Sequence, residues 1–222
     1  MGELSKFFGL AFSALLPLVN PLGTALVFLS LVGSAPQAVY RALARRIAIS
    51  TTIFLISIEA GGALLLKFFG ISLPVVQVSG GLALAAMGWK LLNQEEPSQK
   101  ATPSAVDDVG LRSLEEKVFY PFTFPITAGP GCIVVMVTLS AHATGRGLLP
   151  SLTAHGGIVI AVVLLSVAVY FCYGHSPAIT ARISPQTAHG LLRLIAFVLL
   201  CIGVQITLNG VETIVKTMLL KT

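Results

Sequence analysis

Long apolar runs constrain this chain more than any other feature. Six stretches, residues 7–31, 47–69, 74–93, 118–141, 152–174 and 190–215, are long and apolar enough to cross a bilayer, which takes about 20 residues of helix. In hydrocarbon every backbone polar group must find its partner within the protein, so the expected fold is all-α: a polytopic membrane protein of six transmembrane helices. Only 10% of the residues are charged, against about 25% in a soluble domain. That is too few to coat a surface that faces water. Near the N-terminus Lys6 leads into an apolar run that continues past Phe28 without an A-x-A-like cleavage pattern. It reads as a retained first span and not as a signal peptide.

Residues 94–117 interrupt the pattern and hold six of the nine acidic residues. They read as a charged cytoplasmic linker between a first three-helix repeat, 1–93, and a second, 118–222. Of the fourteen Lys and Arg residues, nine fall after spans one, three and five and five on the other side. The positive-inside rule then places the linker in the cytoplasm and both termini outside it. The net charge of +5 follows from this loop bias. No basic stripe with interleaved aromatics is present, so nucleic acid is not an expected partner.

Two spans carry breaks. "PLVNPLGTALVFLSL", 17–31, opens the first half and "PITAGPGCIVVMVTLS", 125–140, opens the second. Proline removes a backbone donor and clashes with the carbonyl four residues back, and the nearby glycine loosens the turn further. Pro21 and Pro130 are 109 residues apart, about half the chain. Because each half has an odd number of spans, the halves must be oppositely oriented, giving two inverted three-helix repeats with broken first and fourth helices. Paired breaks of this kind point to a secondary-transporter site, where freed N–H groups favour a carboxylate and freed carbonyls a cation. The expected substrate-binding residues are Asn20, Pro21, Gly23, Thr24, Thr127, Gly129, Pro130 and Gly131.

"NPLGTALVFLSL" and "PITAGPGCIVVMV", with six spans and a charged central linker, resemble the MarC family of inner-membrane proteins in the LysE-like transporter group. The resemblance covers nearly the whole chain. Where the family pattern runs Asn-Pro-hydrophobic-Gly-Asn, this chain has Thr24 at the last position. The resemblance implies a bacterial inner membrane and the movement, chiefly export, of small neutral amino acids or similar solutes by alternating access. The alternatives are a scaffold or signalling protein without transport, and efflux of drugs or metabolites.

Glu59 is the one acidic residue deep within a span and the candidate for proton coupling. Gln77, Ser79, Gln205 and Asn209, in the last span of each half, are candidates for lining the pathway. The expected partners are the lipid bilayer, a small-molecule substrate and H+ or Na+, with self-association into a homo-oligomer left open. Cys132, Cys172 and Cys201 are odd in number and widely spaced, and neither a metal site nor a cofactor is expected. Cys132 follows the second break but the first span has no cysteine, which argues against thiol–disulfide exchange between the breaks. No catalytic constellation is expected. His142, His155, Phe7, Phe8, Tyr120, Tyr170 and Tyr173 read as interfacial, and the pairs Gly61–Gly62, Gly80–Gly81 and Gly156–Gly157 as close helix contacts.

Overall fold

A computed structural model describes residues 2–93, 114–144, 147–181 and 185–220. Helix dominates, and there is no strand among the described residues. The first apolar run is α1 (Glu3–Val19) and α2 (Pro21–Val32), divided at Asn20. Next come α3 (Gln37–Phe68) and α4 (Leu73–Leu92). The fourth run divides into α5 (Val118–Thr127), wound in wide irregular turns, and α6 (Pro130–Ala143). It is followed by α7 (Leu148–Gly174), the short α8 (Ser176–Thr180) and α9 (Pro185–Leu219).

Four units are long and apolar enough to cross a membrane: Glu3–Val32, Leu73–Leu92, Leu148–Gly174 and Leu192–Leu219. The pair α5 and α6, bent by 72°, makes a fifth when taken as one span. The second expected span lies within α3, a single helix of 32 residues, about 48 Å long at 1.5 Å per residue.

The core forms around α7, which packs against α1 on one side and α3 on the other. On α1 the buried residues Phe7, Ala11, Leu15 and Val19 recur every fourth position, the stripe of a helix with one face inward. Gly157 lets α1 approach closely, since a Cβ there would lie 2.9 Å from the Phe8 nitrogen. Large apolar side chains also cover the outside, among them Leu64, Phe68, Leu82, Trp89, Phe197 and Leu208. In water so much exposed apolar surface would drive association; in lipid it is the matching surface.

The last two spans of the halves, α4 and α9, pair more extensively than any other two elements. Gly81 of α4 meets Gly203 of α9, Gly88 faces the backbone of Ala196 and Leu200, and Gly210 faces the Pro74 carbonyl, so that backbone touches backbone. A Cβ on Gly88 would sit 2.6 Å from the Leu200 nitrogen, and one on Gly203 would sit 2.7 Å from the Gly81 carbonyl.

The expected linker is described only at its end, since residues 94–113 lie outside the described ones. That end is not purely solvated. Leu114 is buried in the core cluster, and Glu115 pairs with Arg46 of α3 at 3.0 Å. An apolar side chain within reach of the core outweighs the charged composition around it.

Candidate functional site

The first break closes on itself. Among the described residues Asn20 is the one non-glycine with a positive φ, 43° with ψ 65°. Asparagine tolerates this left-handed conformation because its short amide can bond locally. Here its Oδ1 accepts the Gly23 N–H at 3.0 Å and caps α2. Pro21 stands at the first position of α2, where an absent N–H costs nothing. The Thr24 hydroxyl donates to the Asn20 carbonyl at 2.8 Å and lies 3.2 Å from the Val19 carbonyl.

The second break uses the same device on a longer stretch. Pro121 and Pro125 lie in α5, and Tyr120 and Phe124 leave helical geometry just before them, as expected of residues that precede proline. Carbonyls released in this way need new donors. Thr123 Oγ1 donates to the Val118 carbonyl at 2.9 Å, and Thr127 Oγ1 to the Phe122 carbonyl at 2.7 Å. The chain then passes through Ala128 and an extended Gly129, and Pro130 starts α6.

The two breaks converge on Tyr173, near the end of α7. Its hydroxyl lies 2.8 Å from Thr127 Oγ1, and Thr24 faces the same oxygen. Thr127 spends its own proton on Phe122, so Tyr173 is the donor between them. Similarly Thr24 spends its proton on the Asn20 carbonyl. The Tyr173 ring is fully buried and stacks on Phe28, with centroids 4.6 Å apart and planes at 17°. Phe28 meets Phe122 edge-on at 5.5 Å and Tyr40 at 6.1 Å. An aromatic floor thus supports a small group of hydroxyls at the starts of α2 and α6.

A family model described as MarC family integral membrane protein matches residues 5–215. The chain belongs to the MarC family. Inner membrane protein MarC of Salmonella typhimurium is 30% identical over 222 residues, covering 98% of this chain and 99% of that protein. The proteins of the same name from Citrobacter koseri and Escherichia coli are 33% and 31% identical over 225 and 224 residues, with the same coverage. No solved structure matches this chain significantly.

In this MarC-family protein the remaining candidate residues divide into those near the cluster and those away from it. Pro21, Gly23, Thr127 and Gly131 are buried, and Asn20, Thr24, Gly129 and Pro130 are half-buried. Gly131 lies under Leu84 of α4, whose Cγ would be 2.7 Å from a Cβ at that position. Gln77 is buried in the α4–α9 seam beside Gly210. Ser79 is exposed and bonds back to the Val75 carbonyl at 2.8 Å. Gln205 and Asn209 bond each other at 2.9 Å on the exposed side of α9. Ser79, Gln205 and Asn209 therefore do not join the hydroxyl group at the breaks.

Glu59 is buried on α3, and its Oε1 is hydrogen-bonded to His155 Nδ1 on α7. His155, expected at an interface, is thus the partner of the buried acid. Tyr173, also expected there, lies in the core. Its signal was the stripe Leu165, Val169, Tyr173, four residues apart, which continues the inward face of α7. Among the described residues no group of three His, Cys, Asp or Glu side chains could hold a metal ion.

Proposed function

We propose that this MarC-family protein is an inner-membrane secondary transporter of small neutral amino acids or similar small solutes, working mainly as an exporter. α3 is the sixth crossing, and the halves 1–93 and 118–222 are inverted repeats that alternate access around the two breaks. The observation that carries this reading is the meeting of two proline-broken helices at one buried tyrosine hydroxyl. Helix N-termini favour a carboxylate, here those of α2 and α6. Carbonyls now held by Thr24 and Thr127 suit an ammonium group. Asn20, Thr24, Thr127 and the backbone of Gly23, Gly129 and Gly131 contact the solute. The compact, aromatic-floored cluster fits a ligand of a few heavy atoms better than a drug-sized one.

Uptake and efflux of labelled alanine and glycine by proteoliposomes test the proposal. Flux above protein-free vesicles is expected, with at least a tenfold decrease in Asn20→Ala, which loses the cap that shapes the first break. No flux of either amino acid in the unaltered protein defeats it.

One observation favours the second reading, a scaffold or signalling protein. Asn20, Thr24 and Thr127 are already engaged in this conformation, with the Gly23 N–H, the Asn20 carbonyl and the Phe122 carbonyl. Cysteine at Thr24 or Thr127 separates the two: labelling by a small water-soluble maleimide indicates an opening site, and complete protection a permanently closed core.

A further inference from the structure

Away from the breaks, one buried carboxyl has a partner that nothing in its sequence neighbourhood announces. Glu59 is 6% exposed, and its Oε1 is bonded to Nδ1 of His155. Ser140 of α6 donates to the Glu59 backbone carbonyl at 2.7 Å, so α3, α6 and α7 all meet at this turn. The imidazole is not sealed in. His155 borders an open surface depression formed with Gly147, Leu148, Leu149, Ser151 and Leu152, at the end of the molecule where α7 begins. Besides the pair, α1 carries Glu3 and Lys6, α3 carries Tyr40, Arg41, Arg45, Arg46 and Lys67, α6 carries Cys132 and His142, and α7 carries Tyr170, Cys172 and Tyr173.

The chemistry selects the ligand. Hard cations such as Na+ take several oxygen ligands, whereas here a single carboxylate faces a ring nitrogen. A carboxylate and an imidazole differ from such a site in holding one shared proton between them, and histidine exchanges it near neutral pH. With neutral imidazole and ionised Glu59 the pair carries one negative charge within the membrane, at a cost of several kcal/mol. One added proton makes it neutral overall.

We propose that Glu59 and His155 form a proton-binding pair, loaded through His155 from the side that carries residues 147–152, and that the proton is the ion coupled to transport. The coupling half rests on the transporter reading above. A proton from water adds to Nε2 of His155, and the proton on Nδ1 moves to Oε1 of Glu59. One proton is gained, no other bond changes, and the carboxyl can be released to its helix uncharged. Between this pair and Tyr173 the same two helices carry Thr51 and Ser166, buried hydroxyls without a partner among the described residues.

Two measurements on the full chain in lipid test the pair and the coupling separately. In nitrogen-15 histidine NMR, assigned with His155→Gln, the His155 titration midpoint is expected to fall by a pH unit or more in Glu59→Gln. An unchanged midpoint overturns the pair whatever the protein transports. In proteoliposomes, pH-gradient-driven accumulation of alanine is compared with alanine–alanine exchange, which moves no net proton. The ratio of accumulation to exchange is expected to fall at least tenfold in both Glu59→Gln and His155→Gln. An unchanged ratio, or loss of exchange in both variants, overturns the coupling. Absence of any alanine flux in the unaltered protein strikes the transporter reading instead, and leaves the NMR titration to judge the pair.

Discussion

A threonine hydroxyl at a helix break does work that lipid and water cannot do there. Thr127 gives its proton to the Phe122 carbonyl and receives one from Tyr173. Thr127→Val keeps the shape but leaves the buried Phe122 carbonyl unpaired and Tyr173 with Thr24 as its remaining acceptor. A buried group left unpaired costs about 1–3 kcal/mol, and thermal unfolding of the purified protein should show the loss. Thr127→Ser should recover most of it. Tyr173→Phe removes one donor and keeps the stack on Phe28, so it should cost less, about 0.5–1.5 kcal/mol. A Tyr173→Phe protein less stable than Thr127→Val would contradict this order. At this scale the sequence was partly legible. Proline and glycine announce a break, so Asn20 and Thr127 could be found from their neighbours. Tyr173 could not be placed by that route, because nothing near it in sequence is broken and its role depends on which helices surround it.

At the scale of elements, α4 and α9 are held by shape. The glycines of each helix are seven residues apart, two full turns, so they form one smooth edge. Gly88→Val or Gly203→Leu forces the backbones apart. Overpacking of this kind costs about 1–3 kcal/mol, and the variants should lose their single sharp peak in size-exclusion chromatography. Gly9→Ala, Gly61→Ala and Gly156→Ala should be neutral or slightly stabilising in the same assay, because a Cβ there meets open space. The contrast shows what sequence reading resolves. The pairs Gly61–Gly62 and Gly156–Gly157 each stand out as contact points, yet only Gly62 and Gly157 face a neighbour. Which of two adjacent residues points inward depends on helix rotation, and an apolar helix flanked by lipid and protein has little polar contrast to reveal it.

At the scale of the whole molecule, apolar length carried the reading furthest. The expected span limits agree with the observed helices to within about five residues except at the second, where α3 begins at Gln37, ten residues before the expected start. Leu114 departs from its charged surroundings because burial of one apolar side chain is decided by what lies opposite it. Orientation is a further expectation of the charge bias. In a background where the three cysteines are replaced, Leu148→Cys should react with a membrane-impermeant maleimide added to intact cells, and Glu116→Cys should react only after the cells are opened. The reverse pattern would invert the assigned topology.

The donor arithmetic at Tyr173 has a consequence for how the two halves communicate. The phenol has one proton, and Thr127 holds it. On the transporter reading, a solute carboxylate beside Thr24 enlists that proton only by taking it from Thr127, whose oxygen then lacks its donor while its own bond to the Phe122 carbonyl remains. Occupancy at one bend is thereby felt at the other through a single reassigned donor, before any helix has moved.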